Sequence, residues 1–474
     1  MAAVADSSYR KTWPTTVLLT LCFTLSYMDR HVLSLLVEPI KASLKLSDAQ
    51  IGLSQGLSFS VFYVLASLPL ARWIDRGHRP RIISLCIAIW CSTTMLCGTA
   101  QNFWQLMLAR IGVASAEAGM PPAALTMMAD LNDAKGLARA NSTFMLAPYI
   151  GGGIALTGGG ALYAAAQSWN QLTLLGRVFE PWRLVFVLVG LPGLLAAAAV
   201  LLLREPRRAD NASGIATLSA HKAISLVELG RFLKQEWRFN GAYMLTISLM
   251  IMTLNAVVSW MPAVLMRSHA VSATTAGLKF GPIFFSAGII GTVIAGAVIS
   301  RHNRNTVERI FRYMRGCVWL AAPAALFGPL VPSMTLQLAL VAVTLFCVSS
   351  VNSLSSLPML LIAPSHIRAQ ALAFLALVSA LVGTGLGPLL VGIISDSIHF
   401  TENPLPIALS IVGFTATAIG SLLLQVLVKI VSFRSLLAGH SSEPLAQSTP
   451  ADIARPRGHQ GSRLSRPTPS DGKL

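Results

Sequence analysis

Residues 14–37 read PTTVLLTLCFTLSYMDRHVLSLLV, an apolar run that contains two adjacent charged residues, Asp29 and Arg30. A helix needs about 20 residues to cross the hydrocarbon core of a bilayer. The run is too long for the apolar core of a signal peptide, and no small-residue cleavage site follows it. It therefore predicts a retained membrane span that carries charges inside it.

The rest of the chain has the same character. Hydrophobic residues make up 54% of it and charged residues 12%, about half the charged share of a soluble domain, and the mean hydropathy is +0.64. Apolar runs of spanning length predict helices near 14–37, 50–74, 81–100, 103–127, 138–166, 181–203, 239–266, 275–300, 309–328, 334–361, 366–394 and 404–432. We expect an all-α membrane protein with about twelve transmembrane helices in two six-helix halves.

A polar segment divides these helices into two sets. The predicted organisation is a cytoplasmic N-terminus 1–13, a first half 14–203, a linker 204–238, a second half 239–432 and a tail 433–474. In the linker, Leu226, Leu229 and Leu233 recur at helical spacing, which predicts a helix along the membrane surface. The tail is rich in Ser, Pro, Arg and Gly and is expected to be disordered and cytoplasmic.

The formal net charge of +17 is no sign of nucleic-acid binding, because most Lys and Arg residues lie in loops and in the tail. Positive loops orient a membrane protein and here predict that both termini and the linker face the cytoplasm, with membrane lipids as surroundings. Short loops, abundant Ala and Gly, and a preference for Arg over Lys suggest a bacterial inner membrane.

Four ionisable residues inside predicted spans are candidate functional residues: Asp29, Arg30, Arg110 and Glu117. Each such charge costs about 2.5 kcal/mol or more unless it is paired or faces water. Depths estimated at about 1.5 Å per residue place Asp29 level with Arg110, and Glu117 two turns further along. We therefore predict an Asp29–Arg110 pair, with Arg110 shared between the two carboxylates as a proton-driven switch. The alternative is an ion-pair network that only holds the two spans together.

Residues 71–81, ARWIDRGHRPR, resemble the Gly-x-x-x-Asp-Arg-x-Gly-Arg-Lys/Arg pattern of the major facilitator superfamily. Ala71 and His78 replace glycines of the pattern, and Pro80 displaces its last basic residue by one place. The resemblance implies a cytoplasmic gate motif, and the alternative is a loop anchored to anionic lipid. The matching residues are Asp75, Arg76, Arg79 and Arg81.

More narrowly, the chain is similar to spinster-type transporters. The similarity rests on Tyr27-Met28-Asp29-Arg30, on Arg110 with Glu117-Ala118, on Trp182-Arg183, and on Trp260-Met261-Pro262. It implies alternating access about a midplane site and export of lipid-like or other amphipathic solutes coupled to protons, as a symporter or an antiporter. Ala114 stands where that pattern has glycine.

Four further residues within spans could line a substrate cavity, although ordinary helix packing explains each of them equally well: Tyr27, Asn255, Trp260 and Asn352. The Gly383-x-x-x-Gly387 spacing could mark a dimer contact. Within a twelve-helix body it more plausibly packs against neighbouring spans of the same chain, and we expect a monomer.

An enzyme is disfavoured, because the sequence has no phosphate-binding loop and no zinc-binding His pair; no cofactor or metal is expected. The Gly52-x-Ser54-x-Gly56 match to a nucleophile motif opens an apolar span and is interpreted as helix packing. Two other functions stay open: import of small organic anions such as carboxylates or sugar acids, and a membrane sensor or receptor that does not transport.

Overall fold

The structure, a computed structural model, describes residues 2–169, 173–174, 177–178, 180–206, 226–301, 306–364 and 366–440. Its helices are, in chain order, α1 (Ala2–Leu35), α2 (Val37–Leu44), α3 (Asp48–Gln55), α4 (Leu57–Arg76), α5 (Arg79–Cys97), α6 (Phe103–Glu117), α7 (Met120–Leu131), α8 (Ala134–Phe144), α9 (Ala147–Ser168), α10 (Pro181–Leu201), α11 (Leu226–Gln235), α12 (Trp237–His269), α13 (Ala273–Ser300), α14 (Thr306–Phe327), α15 (Met334–Ser353), α16 (Leu357–Ile362), α17 (Arg368–Val378), α18 (Leu386–Ser397) and α19 (Leu405–His440).

Helices account for all of the predicted spans, and the all-α membrane fold is confirmed. Within the described residues, nine helical stretches are long and apolar enough to cross a membrane. The three remaining predicted spans correspond to α1, to α6 followed by α7, and to α14. Two short antiparallel strands that were not predicted, β1 (Thr173–Leu174) and β2 (Arg177–Val178), precede α10.

Several spans are built from two helices in succession. The second span changes direction at Gly56, between α3 and α4. The fourth is interrupted after Glu117, because Pro121 and Pro122 lack the N–H groups that would bond to the carbonyls four residues earlier. The eleventh contains a π-helical segment, Ser379–Gly385, between α17 and α18. Such π-helical turns are frequent at functional sites.

Helices from the two halves of the chain pack closely at two places. At one, a Cβ at Gly52 of α3 would overlap the carbonyl oxygen of Pro388 in α18. At the other, a Cβ at Gly277 of α13 would overlap the carbonyl oxygen of Leu156 in α9. Glycine alone permits these backbone approaches. Gly52 therefore serves helix packing, as predicted.

Gly383 and Gly387 pack within the body of the chain. Both lie against α12, where added Cβ atoms would contact Ile251 and Met252. All six cysteines are buried.

Residues up to Val431 form one compact unit, and a second unit begins at Ser432. Helix α19 ends at His440, so the predicted disordered tail is helical at its start; residues 441–474 lie outside the described residues. In the predicted linker, α11 forms where the leucine spacing indicated a helix, while residues 207–225 are likewise outside the description.

Candidate functional site

An ion pair lies inside the bundle, between Arg30 on α1 and Glu117 on α6. The Nη2 atom of Arg30 donates to Oε2 of Glu117 at 2.7 Å. The Glu117 side chain has no exposed surface and that of Arg30 is 18% exposed. The second carboxylate oxygen of Glu117 and the Nε of Arg30 have no hydrogen-bond partner. A charged pair with unfilled hydrogen-bonding positions is poised to change partners.

Three aromatic rings surround the Arg30 guanidinium. Its central carbon lies 4.8 Å from the Tyr27 ring centroid, 4.4 Å from that of Phe59 and 5.7 Å from that of Tyr63. A desolvated cation gains about 2 kcal/mol from an aromatic face. Phe59 and Tyr63 are four residues apart and therefore share one face of α4. The sequence reasoning missed both, because their position beside Arg30 depends on the packing of α4 against α1.

The predicted Asp29–Arg110 pair is wrong for this structure. Asp29 is buried and accepts a hydrogen bond from the Thr94 hydroxyl of α5 at 3.1 Å. Within the described part of the chain no ion pair links Arg110 to Asp29 or to Glu117. The depth estimate gave height along the helix but not direction around it. Asp29 and Arg30 point about 100° apart, so that Arg30 meets α6 and Asp29 meets α5.

Arg110 is instead a buried cation with unused donors. It is 1% exposed, its guanidinium carbon lies 5.2 Å from the Phe59 ring centroid, and its Nε and Nη2 atoms have no hydrogen-bond partner. Leaving charged donors unsatisfied away from water is costly. An anionic group that reached Arg110 would remove that cost.

A second group of charges joins the two halves of the chain at the opposite end of α1 from its N-terminus. We call it the Asp48 network; it comprises Glu38, Lys41, Asp48, Arg267, Ser395 and Asp396. Arg267 of α12 donates to both carboxylate oxygens of Asp48, at 2.9 and 2.7 Å, and its Nε donates to Glu38 at 2.8 Å. Lys41 and the Ser395 hydroxyl complete the shell around Asp48.

The same network includes a helix cap supplied by a distant part of the chain. The carboxylate of Asp396, at the end of α18, accepts the backbone N–H of Asp48 at 3.0 Å and that of Ala49 at 2.7 Å. These are first-turn donors of α3, which an anion stabilises. Sequence reasoning did not find this network, because its partners are separated by more than 200 residues.

The four residues of the predicted gate motif differ in burial. Arg79 is 3% exposed, and it pairs with Glu205 and with Asp130, both at 2.6 Å. The side chains of Asp75, Arg76 and Arg81 are exposed. Arg79 therefore links the start of α5 and the end of α7 to the start of the linker after α10.

The model of the Major Facilitator Superfamily matches residues 19–388, well over half of the chain. The protein belongs to the Major Facilitator Superfamily. It is accordingly an integral membrane protein and a secondary transporter of small molecules, not an enzyme.

Individual relatives refine this picture of the transporter. It is 28% identical to an MFS-type efflux pump of Mycolicibacterium smegmatis, over 82% of this chain and 86% of that protein. It is 26% identical to the sphingosine-1-phosphate transporter SPNS2 of Danio rerio, over 79% of this chain and 74% of that one. A solved bacterial homolog of the human lysosomal transporter spinster, inward-facing and occupied, matches with a TM-score of 0.71 and 26% identity, over 94% of this chain and 99% of that one. The spinster-like character is confirmed.

Of the four predicted cavity residues of this transporter, the described contacts bring only Tyr27 to the charge cluster. Trp260 is fully buried and its indole N–H donates to the carbonyl of Pro388 at 2.9 Å, which joins α12 to α18. The Asn255 amide donates to the Ile251 carbonyl of its own helix at 2.9 Å. Asn352 is half-buried near the end of α15. For Trp260 and Asn255 these contacts favour the packing interpretation.

Proposed function

We propose that this transporter couples the movement of a small amphipathic or anionic solute to protons by alternating access, with export of a lipid-like solute favoured. The observation that carries the proposal is the buried Arg30–Glu117 pair beside an Arg110 whose donors are unfilled. The cluster offers a proton site at the Arg30–Glu117 pair and an anion site at Arg110, and both arginines approach the Phe59 ring. We further propose that the protein works as a monomer.

The proton site consists of two buried carboxylates on neighbouring helices. Protonation of Glu117 removes its negative charge and with it the charge-assisted hydrogen bond to Arg30. Asp29, held by Thr94, is a second carboxylate that can take up a proton from the same cavity. Proton uptake thus changes the partners of a cation that lies between α1, α4 and α6.

The solute site is centred on Arg110. A guanidinium with two free donors suits a phosphate or carboxylate head group. The Phe59 ring beside Arg110, together with the Tyr27 and Tyr63 rings beside Arg30, would provide apolar contacts for the chain of an amphipathic solute. The relatives that are an efflux pump and a sphingosine-1-phosphate transporter support an exported, lipid-like anion.

Alternating access requires contacts between the halves that form and break. With both termini and the linker in the cytoplasm of a bacterial cell, the Asp48 network closes the extracytoplasmic side of the inner membrane. The transporter would open outward by separating Asp48 and Asp396 from their partners. Asp75, Arg76 and Arg81, which are exposed at the other end of span two, would help to close the cytoplasmic side in that state.

Reconstitution into liposomes tests the proposal. Counterflow of radiolabelled sphingosine-1-phosphate is measured with and without an imposed pH gradient, in parallel with glucuronate as a small sugar acid. We expect sphingosine-1-phosphate flux that the gradient accelerates, and loss of that acceleration in Glu117→Gln and in Asp29→Asn. The matched control is Glu308→Gln, which removes a carboxylate paired with the exposed Arg312.

Each other outcome has a definite meaning. Flux of glucuronate alone would identify an importer or exchanger of small organic anions instead. Binding of either probe without flux would point to a sensor that reuses the fold. Full gradient-driven transport by Asp29→Asn and Glu117→Gln would leave the charges as a purely structural network.

A further inference from the structure

Among the described cation–aromatic contacts, Phe59 is the one ring that both Arg30 and Arg110 approach. Its centroid lies 4.4 Å from the Arg30 guanidinium carbon and 5.2 Å from that of Arg110. The ring is 1% exposed and lies 6.1 Å from that of Tyr63, nearly parallel to it. Two cations from different helices therefore share one apolar neighbour.

This arrangement accounts for the missing Asp29–Arg110 pair. Arg110 and both carboxylates are buried in the same cluster, where attraction between opposite charges is only weakly screened. Among the described residues, Arg110 nevertheless has no carboxylate partner, and its Nε and Nη2 atoms make no hydrogen bond. The face of an aromatic ring offers it a competing stabilisation of about 2 kcal/mol when desolvated. The Phe59 ring therefore stabilises the Arg110 guanidinium where it lies, without a hydrogen bond to Asp29 or Glu117 among the described contacts.

Phe59 also lies on the helix that meets the second half of the chain. Three residues earlier, a Cβ at Gly56 would overlap the carbonyl oxygen of Gly385 at the end of the π-helical segment. The flanking side chains of Leu57 and Ser60 lie against that same glycine position. One face of α4 therefore touches the arginines, and another touches span eleven.

We infer that Phe59 is a positioning residue that holds Arg110 off the two carboxylates, and that α4 carries changes in the cluster to span eleven. The inference deepens the proposed function and rests on it. With the ring present, Arg110 keeps its donors open for the solute. Without the ring, Arg110 moves to a carboxylate. That carboxylate then binds its proton more weakly, and the solute loses Arg110 as its binding partner.

Any pH response of the cluster has several possible sources, because charged and titratable groups that belong to it or are coupled to it lie on several helices. On α1 these are Tyr27, Asp29, Arg30 and His31, on α4 Tyr63, on α5 Cys97, and on α6 Arg110 and Glu117. The cysteine, the tyrosines and His31 stay in place in every variant below. A difference between variants therefore reports on the ring.

The test uses the full chain with spin labels on the introduced pair Trp73→Cys and His366→Cys, both exposed positions near the ends of α4 and α17. All six native cysteines are buried, so labelling is directed to the introduced sites. The distance distribution is recorded from pH 5 to pH 9 in nanodiscs. The variants are Phe59→Leu, Phe59→Met, Phe59→Tyr and the control Phe144→Leu, whose buried ring stacks on Phe23.

We expect the pH midpoint of the distance change to fall by about one unit in Phe59→Leu and Phe59→Met, a tenfold loss of proton affinity. Their half-saturating sphingosine-1-phosphate concentration should rise about tenfold, whereas Phe59→Tyr and Phe144→Leu should resemble the parent. If Phe59→Leu does not fold, Phe59→Met gives the same comparison because its flexible side chain fills the space.

The outcomes separate this inference from the proposed function. A parent protein whose distances do not change with pH would overturn the proton coupling itself. The role of Phe59 alone would be overturned if the parent responds to pH and both Phe59→Leu and Phe59→Met respond at the same midpoint. The two variants would also have to bind the probe as well as the parent does.

Discussion

Arg267 and Asp48 form a two-point ion pair across the halves of the chain, with nitrogen–oxygen distances of 2.7 and 2.9 Å. The two residues are 219 positions apart. The Asp48 side chain is 4% exposed and that of Arg267 18%. Fork-shaped contacts of this kind combine strength with fixed geometry.

Removing Arg267 should favour the outward-open state. Arg267→Gln leaves Asp48 with Lys41 and Ser395 and takes the shared cation from Asp48 and Glu38, so the cost should stay below the roughly 3–5 kcal/mol of a buried pair left fully uncompensated. Spin labels at Ala42→Cys and Phe400→Cys should report longer distances than in the parent. Arg312→Gln, which removes a 55% exposed partner, should leave the distances unchanged; identical distances in both variants would show that the pair does not hold the halves.

Asp396 should act as a second cap of α3, beside the capping box that Ser47 and Gln50 form at the same helix start. Asp396→Ala removes the acceptor of two backbone N–H groups and should cost about 0.5–2 kcal/mol, whereas Asp396→Asn keeps an oxygen acceptor and should cost less. Hydrogen exchange of the amides of Asp48 and Ala49 provides the measurement. Exchange should accelerate in the alanine variant and much less in the asparagine variant, and equal protection in all three proteins would contradict the cap.

Arg79 should be a stability residue of the first half. Arg79→Lys replaces a planar fork that reaches Glu205, Asp130 and the Pro206 carbonyl by a single charged point. We expect a lower thermal unfolding temperature in detergent, with a free-energy loss of about 3 kcal/mol. Exposed Arg81→Lys is the matched control, and the prediction fails if both variants unfold at the same temperature.

Glu180 should contribute a small acid-sensitive part of the stability. Burial tends to raise the pKa of this carboxyl, but hydrogen bonds from Ser43 and Trp182 and the charge of Arg183 lower it below the ordinary 4.5 overall. A lowered pKa in the folded state stabilises the protein above pH 4.5, and that contribution is lost as the pH falls further. The stability difference between the parent and Glu180→Gln should therefore shrink between pH 5 and pH 3. A difference that stays constant would exclude this linkage.

Much of the fold was readable because apolar length is a direct consequence of bilayer thickness. The sequence also located the charge cluster, since Asp29, Arg30, Arg110 and Glu117 are conspicuous in apolar surroundings. The choice of partners within the cluster was not readable, because it depends on the rotation of each helix and on the rings that compete for each cation.

Phe59 and the Asp48 network were missed for different reasons. A phenylalanine in an apolar span is unremarkable until the cations beside it are known. Asp48, Arg267 and Asp396 lie at span ends, where charges are ordinary, and only the packing of α18 against both α3 and α12 brings them together. The Asp29–Arg110 pairing was predicted from depth alone, and it failed because depth does not give the rotation of each helix.

The acceptor role of Asp396 has an evolutionary consequence. Its two partners are backbone N–H groups, which every residue except proline possesses. Substitutions at 48 or 49 can therefore change the side-chain part of the contact but cannot remove these donors. The part of the α18–α3 contact that these two hydrogen bonds make can be graded by residue 396 alone, so a lineage could adjust how readily the halves part there without altering the solute cavity.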